Sequence, residues 1–114
     1  MLRDHMLYLE DILISCNKIT RYTVNMTFEK FKSDERTYDA VVRNLEIIGE
    51  AAKKIPDEIR IMIPDIEWRK AAGLRDMLAH AYFGIDNNIL WDIIQNKVPE
   101  LQDAIDFLLN KIKK

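Results

Sequence analysis

The stretch SDERTYDAVVRNLEIIGEAAKKIP, residues 33–56, is the part of this chain that decides its fold class. Its apolar residues recur at steps of three and four, the spacing that places side chains on one face of an α-helix. Ser33 or Asp34 can cap the start of such a helix through a side-chain oxygen. Pro56 must stop it nearby, because proline disfavours the helical conformation of the residue before it. The predicted stripe consists of Tyr38, Val41, Leu45, Ile48, Ala52 and Ile55.

Helical patterns continue on both sides of this stretch. The first helix is expected to run to about residue 20, and Thr27 is a possible N-cap of a short segment after it. Downstream of residue 56, a short turn-and-helix connector leads to a helix that we expect to begin with Asp65 as its cap and to end at Gly84. Asp86 is a good N-cap for the last helical region, in which Pro99 is expected to kink or restart the helix. Four main helices with short links predict an all-α fold, an antiparallel helical bundle of four main helices plus short helical segments.

Two glycines lie inside predicted helices. Glycine there costs about 1 kcal/mol relative to alanine, so a helix retains it where another helix crosses closely. We therefore expect Gly49 and Gly73 to allow a close helix crossing, and they could be partners in one.

Composition limits the organisation of the chain and its broad class. A length of 114 residues is about that of one ordinary domain, so residues 1–114 are expected to form a single domain with one core. Acidic and basic residues nearly cancel, 19 against 17, so no overall basic field marks a nucleic-acid-binding protein, although a local patch is compatible with this balance.

The sequence also favours a cytoplasmic protein. We expect no signal peptide and no membrane anchor, because the first residues are charged and no apolar run approaches the roughly 20 residues of a membrane span. The one cysteine, Cys16, falls on the apolar stripe of its segment, where a buried reduced thiol is expected.

The histidines do not form a metal-binding pattern. Di-metal sites in helical bundles use Glu-x-x-His pairs on two helices, and neither His5 nor His80 has a glutamate three residues before it. The chain also has no glycine-rich phosphate loop. We therefore predict neither a metal nor a cofactor.

The stretch GLRDMLAHAYFGID, residues 73–86, concentrates the residues best suited to chemistry. On a straight helix at about 100° per residue, Arg75 and Tyr82 align to within roughly 20°, whereas His80 lies roughly 140° from Arg75. All three can converge if the helix ends near His80, or if two copies of the chain meet so that the arginine of one approaches the histidine of the other. Alternatively they are structural: Arg75 pairs with Asp76 or Asp86, His80 caps the helix C-terminus and Tyr82 anchors the turn.

Arginine and histidine together would suit the cleavage of RNA without a metal. Histidine titrates near neutrality and can move a proton to or from the ribose 2′-hydroxyl. A guanidinium is always charged and grips phosphate oxygens with two bonds, which stabilises the charge that rises on the phosphate in the transition state.

Three segments together resemble the HepT-like branch of the HEPN superfamily: RNLEIIGEAAKKIP (43–56), WRKAAGLRDMLAHAYFGID (68–86) and LWDIIQNKVPEL (90–101). The shared element is Arg-x4-His-x-Tyr, present here as Arg75, His80 and Tyr82. The pattern alone is weak, but the helix before it and YFGID directly after it make the match specific. The likeness in layout covers nearly the whole chain.

The resemblance implies a HEPN-like helical homodimer, the endoribonuclease toxin of a type VII toxin–antitoxin system, in which Arg75 and His80 act on RNA in a cleft between the two copies. It implies an MntA-like minimal nucleotidyltransferase antitoxin, which silences the toxin by transferring AMP from ATP to Tyr82. The position after the arginine is often asparagine in this family and is Asp76 here, a carboxylate that could hold Arg75 or His80 in place but adds negative charge where the RNA phosphate binds.

Two alternatives remain open. One is a non-catalytic helical binding module that keeps the HEPN shape and only docks a nucleotidyltransferase or a nucleotide. The other is an isolated nucleotide-binding bundle. A scaffold does not need Arg, His and Tyr together, which favours the ribonuclease.

Overall fold

The computed structural model describes residues 2–80 and 86–113, without the side chains of residues 2–4, 75–77, 79–80 and 113. Within these ranges every regular element is helical, which confirms the predicted all-α class. The elements are α1 (Leu2–Thr23), α2 (Phe28–Ser33), α3 (Glu35–Lys53), α4 (Asp57–Arg60), α5 (Trp68–His80), α6 (Asn87–Asp92), a π-helical segment (Ile93–Lys97) and α7 (Val98–Lys113).

Side-chain caps begin three of these helices as predicted. Thr27 accepts a hydrogen bond from the backbone N–H of Lys30 at 3.1 Å, and Asp34 accepts one from Thr37 at 3.1 Å. The second bond holds the pKa of the Asp34 carboxyl below its usual value, because it stabilises the ionised form. Asp86 accepts from two backbone N–H groups at the start of α6, as expected of its N-cap position.

The predicted cap of α5 is wrong. Asp65 lies before the helix, which begins at Trp68, and the carbonyl of Glu67 accepts the first helical hydrogen bond from Ala71. The indole N–H of Trp68 donates to the carbonyl of Ile63 at 3.3 Å, and both side chains are buried. Burial of this pair winds residues 63–66 into a turn, so the helix starts later than its acidic residues suggest. The predicted end at Gly84 lies outside the described residues.

Contacts at the helix ends show that the main helices alternate in direction. At one end of the bundle, the Lys54 ammonium after α3 lies 5.2 Å from the ring centre of Tyr8 near the start of α1. At the other end, Gln102 in the first turns of α7 hydrogen-bonds Asn17 and Thr20 near the end of α1. Helix α3 packs against both α1 and α5, and α7 packs against α1. The predicted antiparallel bundle of four main helices is therefore present, in the chain order α1, α3, α5 and α7.

The helix restarts at Pro99 as predicted. The π-helical segment Ile93–Lys97 widens the helix immediately before α7, which begins at Val98. Proline has no N–H to donate to a carbonyl of the preceding turn, and a wider turn accommodates that loss.

The core contains a buried stripe from each of the four main helices. It includes Leu9, Ile12, Cys16, Ile19, Val41, Leu45, Ile48, Leu78, Ile105 and Leu108. Gly49 is also buried in α3. The prediction that Gly73 permits a close crossing is wrong among the described residues, because a Cβ added there would meet none of their atoms within 4 Å.

Candidate functional site

Helix α5 carries most of the Arg-x4-His-x-Tyr motif. Trp68 is 6% exposed and Leu78 is 3% exposed, so these residues mark the face of α5 that is buried in the bundle. The helix is continuous from Trp68 to His80. At about 100° per residue, the backbone position of Arg75 lies within roughly 20° of Trp68 around the helix axis, and that of His80 lies roughly 140° from Arg75.

The structure therefore places both predicted catalytic residues on one helix but does not bring their backbone positions onto one face. Arg75, His80 and the supporting residue Asp76 lie on α5, and their side chains are outside the described part of the structure. Tyr82, the predicted modification site, lies outside the described residues altogether.

Arg60 anchors the start of the motif helix. Its guanidinium donates to the carbonyls of Ala52 and Ile55, each at 2.9 Å, so it satisfies carbonyls at and just beyond the end of α3. Its guanidinium carbon also lies 5.9 Å from the ring centre of Trp68, the first residue of α5. One side chain thereby ties the end of α3 to the start of α5.

A second anchor lies just after the motif. The Tyr38 hydroxyl donates to the Asn87 side-chain oxygen at 2.7 Å, which ties the start of α6 to α3. The Tyr38 ring stacks on Phe31 at 5.2 Å between ring centres, and Phe31 in turn lies 5.2 Å from Trp91. Burial, aided by the neighbouring charge of Asp39, raises the pKa of the Tyr38 phenol, which further favours the neutral form that donates this bond.

Sequence reasoning missed these two positioning residues. Tyr38 fits the apolar stripe of α3, and nothing in its spacing signals that its hydroxyl is used. A tyrosine on a buried stripe usually finds a partner for its hydroxyl, which is the one signal available. Arg60 lies in a short connector, where no periodic pattern identifies a capping role.

Among the described residues, the bundle is open along one edge, where α5 faces the π-helical segment and α7 across a groove of about 600 Å³. Leu45 and Ile48 of α3 line its floor, and both are fully buried. Its walls are mostly apolar or small residues: Ile66, Ala71, Gly73 and Leu74 on one side, and Ile93, Val98, Leu101 and Ala104 on the other. We call this feature the α5–α7 groove.

The rim of the α5–α7 groove is charged and predominantly acidic. Four carboxylates line it, those of Asp65, Glu67, Asp92 and Glu100, against the two ammonium groups of Lys70 and Lys97. Lys70 pairs with Glu67 at 2.8 Å, and this hydrogen bond and charge, with a smaller effect of Lys97, lower the pKa of the Glu67 carboxyl. Both lysines thus act on the same carboxylate.

Cys16 is unsuited to nucleophilic chemistry. Its side chain is fully buried, as predicted, and burial raises the pKa of its thiol to about 12. The reactive thiolate is therefore scarce at neutral pH.

The described ranges contain neither a cluster of metal-ligating side chains nor a helix that could span a membrane. Residues 2–80 and 86–113, apart from the side chains noted above, contain no group of three or more His, Cys, Asp or Glu that could hold a metal ion. In the same part of the chain, every helix is too short or too polar to cross a membrane.

Comparisons with known proteins identify the family. "Probable ribonuclease HepT" of Thermococcus cleftensis is 44% identical over 108 residues, which is 95% of this chain and 98% of that protein. "Putative RNase MJ0127" of Methanocaldococcus jannaschii is 41% identical over 97% of this chain and 92% of its own length. No solved structure matches the chain. Residues 12–108 match the family described as Ribonuclease HepT-like, and the chain belongs to that family.

Proposed function

We propose that this protein is a metal-independent endoribonuclease toxin that cleaves RNA as a homodimer. Membership in the HepT-like ribonuclease family and relatives named as ribonucleases support RNA cleavage as the activity. The observation that supports the dimeric site is helix α5, which is continuous from Arg75 as far as His80 and so keeps their backbone positions roughly 140° apart.

In this proposal each half of the site uses groups from both copies. A two-fold axis beside α5 brings the arginine of one copy towards the histidine of the other, and symmetry supplies the second pair. His80 moves a proton to or from the 2′-hydroxyl, and Arg75 holds the phosphate. Asp76, next to Arg75 in sequence, orients one of the two side chains.

The activity test compares matched substitutions. We expect Arg75→Ala and His80→Ala each to reduce cleavage of a labelled RNA at least a hundredfold with an unchanged helical signal, since general acid–base catalysis contributes about 10²–10⁴-fold. Arg69→Ala removes an exposed arginine from the same helix, and His5→Ala removes the other histidine; both should retain activity. Full activity in His80→Ala would exclude this histidine as the acid or base.

Metal independence has its own test. Cleavage should persist in excess chelator, because the proposed mechanism uses only a guanidinium and an imidazole. Loss of activity in chelator, with recovery on addition of magnesium, would contradict the mechanism while leaving the family assignment intact.

Regulation is proposed to act through Tyr82. A nucleotidyltransferase antitoxin would direct the Tyr82 hydroxyl onto the α-phosphorus of ATP, forming a phosphodiester and releasing pyrophosphate. The adenylate would add negative charge and bulk beside the position of the RNA phosphate, so repulsion and steric block would act together.

Removal of the Tyr82 hydroxyl tests this regulation. Tyr82→Phe should fold and cleave RNA, yet remain active after incubation with the nucleotidyltransferase and ATP, whereas the wild type is silenced. Peptide mass spectrometry should locate the adenylate on Tyr82. Adenylate on other residues only, or complete silencing of the Phe variant, would refute the assignment.

A further inference from the structure

We propose that the α5–α7 groove is a docking site for an amphipathic helix of a partner protein whose apolar stripe is flanked by basic residues. This inference does not depend on the ribonuclease activity, because the groove lies along the first turns of α5, before the motif. It rests on three properties of the groove: its apolar walls, its acidic rim and the open glycine between them.

The distribution of polar groups in the groove favours a helix over a small ligand. Ligand pockets place a few polar groups among apolar walls so that the ligand is oriented. Here Leu45 and Ile48 line the floor, and the charged side chains among the lining residues belong to the rim described above. The occupant of such a groove needs apolar side chains for the floor and walls and polar side chains for the charged rim. An amphipathic helix that binds in a groove has this pattern, an apolar stripe with polar flanks.

Gly73 is the second observation. It lies within α5, where glycine costs about 1 kcal/mol relative to alanine, and a Cβ there would meet no atom of the described residues within 4 Å. Packing against the described residues therefore does not account for a glycine at this position. Because glycine has no side chain, the backbone of α5 at Gly73 lets a second helix approach closely in the groove. The space at this position therefore fits an occupant from outside the chain.

The rim charges decide which occupant fits. Glu67 is compensated by Lys70 and lies near Lys97, whereas Asp65, Asp92 and Glu100 have no lysine or arginine within 4 Å among the described side chains. Basic flanks would meet these carboxylates with opposite charge and steer the encounter.

The same charges disfavour two other occupants. RNA phosphates would be repelled by an acidic rim. A second copy docked groove to groove would bring two acidic rims together, and like charges across an interface oppose association.

A pair of synthetic helices provides the test. Both are fluorescein-labelled 20-residue peptides with leucine at helical spacing; one has lysine on its flanks and the other has glutamate at the same positions. Fluorescence anisotropy with the full-length protein should show the basic peptide binding at least tenfold more tightly at low salt, with a difference that shrinks as salt screens the charges. Equal affinity for the two peptides would overturn the proposal.

Variants show whether the binding occurs in the groove. Glu100→Lys reverses a rim charge and should weaken the basic peptide at least fivefold, whereas Asp106→Lys, an exposed position on α7 that does not line the groove, should change affinity less than twofold. Gly73→Leu adds a side chain into the space at this position and should weaken both peptides at least tenfold. Unchanged binding in Glu100→Lys and Gly73→Leu would overturn the proposal.

Self-association is measured on the same samples. If light scattering shows that Gly73→Leu or Glu100→Lys converts a dimer of this protein to monomer, the groove is an interface between copies and the inference is wrong. The ribonuclease proposal is judged separately, by the His80→Ala and Arg75→Ala variants, so failure of one proposal is distinguishable from failure of the other.

Discussion

Two parts of α7 differ in what covers them. Ile105 and Leu108 are fully buried. Leu101 and Ala104, nearer the start of the helix, are only partly buried and line the α5–α7 groove. Seven residues separate Leu101 from Leu108, so both lie within roughly 20° of each other around the helix axis. The same apolar face is therefore covered at Leu108 and partly exposed at Leu101.

Small residues contribute to the open edge. The groove-lining residues of α5 include Ala71, with a single methyl group, and Gly73, with no side chain. Leucine and isoleucine residues of α1 and α7, in contrast, are buried together in the core. Protein interiors are close-packed and contain few voids of this size. The groove is therefore a place where the side chains of the described helices do not fill the space between α5 and α7.

The largest expected effect compares two leucines of α7. Leu108→Ala should lower the free energy of unfolding by about 2–5 kcal/mol, because it removes a fully buried side chain and leaves a cavity. Leu101→Ala, on the same face but at the groove, should cost less than about 1.5 kcal/mol, because its side chain is partly exposed already. Chemical denaturation of both variants measures the difference.

Equal losses for the two leucines would contradict the comparison. They would mean that Leu101 is as well covered in solution as Leu108, so that something fills the groove. Repetition of the denaturation at several protein concentrations would then show whether the cover is a second copy of the chain, since stability that depends on association rises with concentration.

The helices and caps that depend on local sequence signals are the predictable parts of the bundle. The stripe from Tyr38 to Ile55 predicts α3 because each of its residues repeats the helical spacing, and Asp34 and Asp86 cap helices because short acidic side chains reach nearby N–H groups. The start of α5 was not predictable from Asp65, since the turn before Trp68 depends on a contact between its indole and the carbonyl of Ile63. Local signals do not contain such tertiary contacts.

The candidate site also has one part that the sequence predicts and one part that it does not. Arg75, His80 and Tyr82 could be selected because residue chemistry and the family likeness are both visible in sequence. The groove could not, because it arises from the separation of α5 and α7, which no spacing along either helix reveals. Gly73 stands out in the sequence, but the close helix crossing predicted for it is not present among the described residues.

A smaller effect is expected at the end of the open edge, where Tyr38 ties α6 to α3. Tyr38→Phe keeps the ring stacked on Phe31 and removes only the bond to Asn87, so it should lower the free energy of unfolding by about 0.5–1.5 kcal/mol. Tyr22→Phe is the matched control, because the described residues show no hydrogen bond for that hydroxyl; its change should stay within about 0.5 kcal/mol. An equal effect of the two substitutions would mean that the Tyr38 bond does not hold the end of this edge.

The smallest effect is a gain in stability at the open edge itself. Gly73 lies in a helix without a positive φ, and a Cβ there meets none of the described atoms within 4 Å, so Gly73→Ala should raise the free energy of unfolding by about 0.5–1 kcal/mol. The gain comes mainly from the unfolded chain, which loses conformational freedom when alanine replaces glycine. Ala72→Gly, the reverse change at the neighbouring position, should lower stability by about 1 kcal/mol through the same term plus any lost contact. If Gly73→Ala is destabilising at every protein concentration, the space at Gly73 is filled within the monomer and the open edge does not exist in solution. If it is destabilising only at high concentration, a second copy approaches the glycine, and the edge is open in the monomer alone.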